Sequence, residues 1–400
     1  MTEASKYKLR GVSSGKEELF RILGHLDAGL FPASAVKIMP DVMGGSPLHC
    51  NILHSDGSGT KSALAYMYWK QTGDISVWRG IVRDAITMNV DDMLCAGISD
   101  HILISLIINR NLRLIPAEVI SELIFGAEEY LEELRDMGLN IHLAGGETAD
   151  VGDLVRTLVV DVSASARMLR EEVIHGDKLA GGDVIVGLAS FGKTSYEKNH
   201  NSGMGCNGLT SARHDVFGAE LAKQFPESYD AEMPESLAFT GNMSLTEKVR
   251  LENVYDEDGN ECFVDVGQML LSPCRTYYPV LREMLKSQRR NIHAMVHCTG
   301  GGQTKILRHV DSLRIIKDAM FPIPQVFKLI KNQSNTSWKE MFSVFNMGHR
   351  LEIYTSAEHA QSFIDISKSF GLEARVIGYV ENASTSSLLI KNLYGEFNYQ

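Results

Sequence analysis

A chain of 400 residues with 44% hydrophobic side chains is long enough to bury two cores, and its net charge of −11 excludes a general attraction to nucleic acid or to an anionic membrane. The first residues lack the apolar core of a signal peptide, and no apolar run of about 18 residues follows. A cytoplasmic protein that does not bind membranes is therefore expected. The six cysteines contain no C-x-x-C pair, which favours reduced thiols over a zinc or dithiol motif.

The amino-terminal region predicts a helix at Lys16–Leu26 and a short strand at Cys50–His54. This strand leads into a glycine-rich turn whose residues are Asp56, Gly57, Ser58, Gly59, Thr60 and Lys61. Glycines allow successive backbone amides to face a phosphate, Lys61 can neutralise that phosphate, and Asp56 can hold Mg²⁺. The turn predicts a nucleotide site, although the Walker A spacing is absent and a plain polar turn is the alternative.

Two helices are predicted next, at Ser62–Trp69 and Val77–Leu94. On the second helix, Asp84, Asp91 and Asp92 share one broad face. Their neighbours are apolar, so ionised carboxylates among them need a cation, and a magnesium site is the simplest explanation. A solvated acidic face is the alternative. The predicted magnesium ligands are Asp56, Asp84, Asp91 and Asp92.

A second pair of strands completes the amino-terminal half. A strand at Asn140–Ala144 runs into a second predicted glycine turn, which is expected to share the nucleotide site and comprises Gly145, Gly146, Glu147 and Thr148. The segment Thr157–Ser163 alternates apolar and polar residues, so one face is covered. Too little chain follows to cover the other face, which predicts a homodimer. The predicted domains are residues 1–168, for nucleotide binding and dimerisation, and residues 169–400.

The carboxyl-terminal half alternates strands and helices, which predicts an α/β (α+β) fold for the whole chain. The polar loop Lys193–Gly208 is either a lid or an ordinary surface insertion. A predicted strand at His293–His297 runs into Gly300–Gly302, where a backbone nest can bind an anion. His297 is a candidate for proton handling or substrate contact, and a structural histidine is the alternative.

Seven motifs follow one another along the chain, at Asp56–Ser62, Val90–Leu94, Gly145–Ala149, Gly182–Ser190, Leu270–Tyr277, His297–Gly302 and Glu340–Gly348. Together and in this order they resemble the phosphoribosylformylglycinamidine cyclo-ligase family, also called aminoimidazole ribonucleotide synthetases. The resemblance implies two α/β domains, with the amino-terminal sheets of two subunits joined in a homodimer. It also implies ATP and Mg²⁺ as cofactors and a phosphorylated ribonucleotide as substrate. The catalytic residues are then predicted to be Lys61, Asp92 and His297.

The implied reaction is the ATP-dependent ring closure of formylglycinamidine ribonucleotide in purine biosynthesis, with release of ADP and phosphate. The sequence departs from the family pattern at Asp91, Cys274, His349 and Arg350, which leaves the exact substrate open. The alternatives are another ATP-dependent relative, such as a formylglycinamidine ribonucleotide synthetase-like enzyme, and a nucleotide-binding dimer without catalysis.

Overall fold

The amino-terminal half forms a five-stranded sheet in the computed structural model, which describes residues 6–13, 22 and 24–400. The predicted helix at Lys16–Leu26 lies largely outside these residues. The strands are β1 (Ile38–Pro40), β2 (His49–Gly57), β3 (Ile102–Arg110), β4 (Ile141–Asp150) and β5 (Leu158–Leu169). Their order is β1-β2-β5-β3-β4, and β3 and β4 form the parallel pair. The strands predicted at Cys50–His54 and Thr157–Ser163 are confirmed as β2 and β5, both longer than predicted.

Helices cover one face of this sheet. In the described part of this half the helices are α1 (Lys6–Leu9), α2 (Lys61–Thr72), α3 (Val77–Cys95) and α4 (Ala117–Asp136). α3 packs on β2 and β5, and α4 packs on α3 and β4. The opposite face carries exposed apolar side chains, with Leu53 73% exposed and Leu103 50% exposed. The alternating pattern therefore buries one side of each strand, as predicted, and leaves the other side uncovered.

The predicted second glycine turn is wrong, because Gly145–Thr148 lies inside β4. Leu106, Ile107 and Ile108 of β3 pair with Gly146, Glu147 and Thr148. A Cβ atom on Gly146 would lie only 2.2 Å from the carbonyl oxygen of Leu106. At this position glycine therefore permits close approach of two strands rather than a change of direction.

The carboxyl-terminal half contains a seven-stranded sheet in the order β14-β13-β10-β12-β6-β11-β9. Its strands are β6 (Val184–Ala189), β9 (Ala294–His297), β10 (Leu313–Lys317), β11 (His349–Thr355), β12 (Ala374–Asn382), β13 (Ser387–Asn392) and β14 (Gly395–Tyr399). A separate hairpin, β7 (Lys248–Tyr255) and β8 (Glu261–Asp265), occupies a region for which the sequence predicts no strand.

The helices of this half are α5 (Leu209–Val216), α6 (Glu220–Gln224), α7 (Val266–Leu271), α8 (Tyr278–Gln288), α9 (Gln325–Gln333), α10 (Trp338–Val344) and α11 (Ala360–Ser369). α3 of the first half packs against β9 and α8 of the second. The helix that carries the three carboxylates thus lies where the two halves meet. Within the described part of the chain, no helix is long and apolar enough to cross a lipid bilayer.

We expect His214 to make the protein sensitive to acid. This α5 residue is fully buried, and burial, followed by the charges of Arg213, Arg10 and Lys6, lowers its pKa to about 2. The ring Nδ1 accepts a hydrogen bond from the backbone amide of Phe239. Below about pH 6.5, the usual pKa of histidine, this ring binds a proton in the unfolded chain but not in the folded chain. The free energy of unfolding therefore falls as pH falls.

Between pH 6.5 and 4.5 this histidine should cost about 2–3 kcal/mol of unfolding free energy. His214→Gln retains an acceptor for Phe239 and should remove most of that loss, as measured by urea denaturation at the two pH values. His101→Gln, at an exposed position, serves as the control. An equal acid-induced loss in the His214→Gln and wild-type proteins would contradict the expectation.

Candidate active site

Two acidic residues and one histidine form a cluster between β2 and α3. His54 and Asp56 are two residues apart on β2, so both point to the side that α3 covers. There they meet Asp92 of α3, and one ligand atom from each of the three side chains lies within 4.8 Å of the others. The ring Nε2 of His54 is 3.3 Å from Oδ2 of Asp92. The cluster is therefore assembled from a strand and a helix that are far apart in sequence.

The cluster concentrates negative charge. Burial, and then the neighbouring charge of Asp92, raises the pKa of Asp56. Two carboxylates in one partly buried position repel each other, and a divalent cation relieves that repulsion. Carboxylate oxygens suit Mg²⁺, so this donor set fits the predicted metal at Asp56 and Asp92. His54, a nitrogen donor, suits Mg²⁺ less well and is better placed to orient Asp92.

Asp92 remains ionised because it has partners on β2 and in the carboxyl-terminal half, which is called the second domain below. Burial opposes its ionisation, but the charge of Lys305, the hydrogen bond from His297 and the nearby ring of His54 hold its pKa well below the usual value. The ring Nδ1 of His297 lies 2.7 Å from Oδ1 of Asp92. The ammonium of Lys305 is 3.8 Å from the same oxygen. Asp92 thus joins the two domains at the cluster.

His297 is a neutral imidazole that donates a hydrogen bond to Asp92. Burial lowers its pKa to about 4, even though Asp92 favours the charged form. The ring is therefore neutral at pH 7. Because ionised Asp92 can only accept, Nδ1 of His297 carries the proton and Nε2 carries the lone pair. That Nε2 atom is buried and accepts no hydrogen bond from the described residues.

Sequence reasoning missed His54 and Lys305. His54 could have been found, because its position two residues before Asp56 on a strand places both on one face. Lys305 lies in the 3-10 segment Gly302–Arg308, directly after the predicted glycine nest. Its ammonium donates to Oγ1 of Thr299, 2.7 Å away. Only the packing of the second domain on α3 brings this lysine to the cluster.

The first glycine turn lies beside the cluster, but part of it is committed to the fold. The amide of Ser58 donates to the carbonyl of Val160, and its hydroxyl lies 3.0 Å from that of Ser62. The expectation that Ser58 faces a phosphate is therefore wrong. Gly59 adopts a left-handed φ of +55°, which favours glycine. The exposed Thr60 hydroxyl lies 2.9 Å from that of Thr210 in the second domain.

Gly57 is required by a close contact between strands. A Cβ atom there would lie 2.0 Å from Oδ1 of Asp161 and 2.6 Å from the carbonyl oxygen of Val160. The backbone of Gly57 donates to Oδ1 of its neighbour Asp56, at 2.7 Å. The glycine thus allows β2 to approach β5 and helps to orient a cluster carboxylate.

The sequence predicted that Lys61 faces a phosphate at an open turn, but the structure places this side chain in the interior. Its side chain is fully buried, and its ammonium lies 2.7 Å from Oδ2 of Asp84 and 2.7 Å from the carbonyl of Ser272. Burial disfavours the charged form, but Asp84 more than compensates and raises the pKa of Lys61. Asp84 already has a cation beside it, so its predicted need for a metal ion disappears.

Asp91 is also separated from the cluster. It accepts hydrogen bonds from Oγ1 of Thr276 and from the amide of Tyr277, and Oδ2 lies 3.8 Å from the guanidinium of Arg350. Burial raises the pKa of Asp91 to about 7 in spite of Arg350. Asp91 and Arg350, two departures from the family pattern, thus face each other across the domain boundary.

A single ion cannot join the three helix carboxylates. Asp84 and Asp91 are seven residues apart, which is about 10 Å along a helix axis. Two oxygens on one Mg²⁺ are at most about 4 Å apart. One ion therefore cannot join all four predicted ligands, and Asp56 and Asp92 remain as the candidate pair.

The residues Gly145–Thr148 do not join the cluster within one subunit. β5 and β3 lie between β2 and β4, which places β2 and β4 about 14 Å apart. Glu147 is exposed at this edge of the sheet. The prediction that both glycine segments share one site is therefore not met by a single chain.

Paired carboxylates, a basic residue and a glycine turn at a domain junction are typical of a two-domain α/β enzyme that handles phosphate. Family models described as AIR synthase related protein match this chain, the N-terminal domain at residues 42–168 and the C-terminal domain at residues 180–391. The chain therefore belongs to the AIR synthase related protein family. This confirms the resemblance recognised in the sequence and the fold class that it implied.

Similar proteins are consistent with this family. A phosphoribosylformylglycinamidine cyclo-ligase of Methanococcus vannielii is 29% identical over 332 residues, which cover 83% of this chain and 78% of the relative. The solved structure of AaThiL complexed with AMPPCP and TMP matches with a TM-score of 0.51 at 12% identity, over 96% of this chain and 97% of that one. PurLQS from Thermotoga maritima matches with a TM-score of 0.51 at 12% identity, over 96% of this chain. This chain spans 48% of the PurLQS chain. The two structures support the fold alone.

Proposed function

We propose that this protein is an ATP-dependent phosphoribosylformylglycinamidine cyclo-ligase. In this reaction ATP phosphorylates the amide oxygen of formylglycinamidine ribonucleotide. The amidine nitrogen then attacks the activated carbon, the imidazole ring closes, and phosphate leaves. The products are aminoimidazole ribonucleotide, ADP and phosphate. The observation that carries the proposal is the Asp56–Asp92 cluster at the domain junction of a chain that belongs to this family.

The chemistry of the site suits phosphoryl transfer, which depends on positioning and on charge stabilisation more than on a covalent nucleophile. Asp56 and Asp92 would hold Mg²⁺, which would neutralise phosphate charge. Lys305 supplies a cation of the protein beside the same carboxylates, 3.8 Å from Asp92. Gly59 and Thr60 lie exposed at the turn, where their backbone can approach a phosphate.

His297 has a defined role in this proposal. Its proton is held on Nδ1 by Asp92, so Nε2 can accept a hydrogen bond or a proton from the substrate. Its pKa of about 4 keeps the ring neutral at pH 7, so the lone pair of Nε2 is available as a hydrogen-bond acceptor. We therefore assign His297 to orienting a substrate N–H group, with Asp92 fixing the ring.

The experiment is a turnover assay with purified protein, Mg²⁺-ATP and formylglycinamidine ribonucleotide. Aminoimidazole ribonucleotide and ADP should form in equal amounts. A parallel assay with formylglycinamide ribonucleotide and ammonia tests the synthetase-like alternative. Product only in the second assay, or no ATP turnover in either, would refute the proposal.

The uncovered sheet face supports a homodimer. Leu53 and Leu103 lie on this face and are strongly exposed, and an apolar sheet face of this kind is normally covered. A second copy of the chain is the partner that the family resemblance implies. Pairing of this face would also bring a second subunit near the exposed Glu147 of β4.

We expect Leu53→Glu to convert the dimer into monomers at micromolar concentration, because a buried unpaired carboxylate costs several kcal/mol. Sedimentation velocity measures the change. Leu393→Glu, at a position 88% exposed in the second domain, is the matched control and should remain dimeric. A wild-type protein that sediments as a monomer would contradict the proposed dimer.

A further inference from the structure

The thiols of Cys206 and Cys274 lie 3.1 Å apart, although 68 residues separate them in the chain. Cys206 belongs to the loop between β6 and α5, and Cys274 follows α7. Both are buried, with exposures of 8% and 1%. All six cysteines are free. The fold thus brings together two thiols that show no paired motif in the sequence.

The neighbours of the two sulfurs, rather than their separation, favour a disulfide over a metal site. Two sulfurs on one zinc ion are about 3.8 Å apart, given Zn–S bonds of about 2.3 Å in a tetrahedron. A disulfide bond is about 2.05 Å long, so closure needs a movement of about 1 Å. Asp84 is the carboxylate near this pair, but its Oδ2 is already paired with the ammonium of Lys61. A metal ion would have to compete with that ammonium.

We propose that Cys206 and Cys274 are an oxidisable dithiol, which closes to a reversible disulfide and ties the loop of residues 193–208 to the segment 272–277. Hydrogen bonds around the pair already hold the two segments together. The amide of Ser202 donates to Oγ of Ser272 at 3.1 Å. The side-chain amide of Asn201 donates to the carbonyl of Pro273 at 2.9 Å. The approach of the sulfurs is therefore supported by neighbouring contacts.

The route proposed for an oxidant is the cavity that Cys274 lines. Cys274 lines a cavity of about 640 Å³ together with loop residues, among them Lys198 and Asn201. With hydrogen peroxide as oxidant, one thiol forms a sulfenic acid and releases water. The second thiol attacks that sulfur and releases a second water, so two thiols and one peroxide give one disulfide and two waters. This inference does not depend on the proposed function.

The test uses the full-length reduced protein treated with hydrogen peroxide, then alkylated, digested and analysed by mass spectrometry. The expected product is a peptide pair joined through Cys206 and Cys274, with two of the six thiols lost. Cys262→Ser, which removes the half-exposed cysteine, should retain the link. Cys206→Ser and Cys274→Ser should each abolish it, and dithiothreitol should reverse it.

A second readout reports whether the link ties the loop. Lys198 has a side chain 79% exposed, and trypsin cleavage after it should slow at least threefold in the oxidised protein and recover with dithiothreitol. Oxidation confined to Cys262 would overturn the proposal. So would a reduced protein that binds one equivalent of added zinc and thereby protects both thiols, because that result would make the pair a metal site.

Discussion

Asp92→Asn should lower ATP turnover by about two to three orders of magnitude, because it removes one of the two carboxylates that would hold Mg²⁺. The amide oxygen can still accept the hydrogen bond from His297, so the local fold should remain. Thermal stabilisation by Mg²⁺-ATP should disappear, whereas for the wild type at 100 times the dissociation constant it should reach about 2.7 kcal/mol. Thermal melts with and without Mg²⁺-ATP, together with the turnover assay, measure both effects.

The matched control is Asp136→Asn, which removes the same charge from an exposed position on α4. It should retain both turnover and the nucleotide-dependent stabilisation. A structural role for Asp92 predicts the opposite pattern, in which the protein without ligand loses about 3–5 kcal/mol and the nucleotide shift survives. An Asp92→Asn protein that keeps the full Mg²⁺-ATP shift would rule out the metal role.

Lys61→Met should destabilise the protein by about 3–5 kcal/mol, because it leaves Asp84 buried without a cation. This expectation follows from the ion pair of 2.7 Å between two side chains with no solvent exposure. Lys70→Ala, at an exposed position on the same helix, should cost less than about 1 kcal/mol. Urea denaturation at neutral pH measures both values.

The double variant Lys61→Met with Asp84→Asn tests the pairing itself. Asparagine retains an acceptor for the amide of Cys274, which donates to Oδ1 of Asp84 at 2.5 Å. The double variant should therefore regain at least about 2 kcal/mol relative to Lys61→Met, which is the coupling expected for residues in contact. If Lys61→Met has wild-type stability but has lost turnover, the burial argument is contradicted. That result would instead support the sequence prediction that Lys61 binds the phosphate.

The motifs identified the family because seven of them occur in the family's order over most of the chain. Local residue patterns located many strands and helices. The helix predicted at Val77–Leu94 and the strand predicted at Cys50–His54 are present as Val77–Cys95 and His49–Gly57. The pair Gly145-Gly146 shows the limit of this reasoning. Glycine permits both a turn and a close strand contact, and only the pairing of Leu106 with Gly146 decides between them.

The carboxylates show a second limit. Helical periodicity predicted that Asp84, Asp91 and Asp92 share a face, but a face about 10 Å long can meet several different partners. The second domain supplies those partners, since Ser272 and Cys274 lie beside the buried pair of Asp84 and Lys61. These contacts join residues roughly two hundred positions apart, and no local pattern records them.

The sequence by itself thus determined the family, the α/β fold class and the presence of carboxylates near a glycine turn, because these depend on local pattern and on ordered motifs. The tertiary structure alone decided that Asp92 meets Asp56, His297 and Lys305, and that Lys61 is buried against Asp84. The physical reason is that a charged group acquires its role from the groups that replace its water. Those groups come from distant parts of the chain, and only the packing of the two domains brings them together.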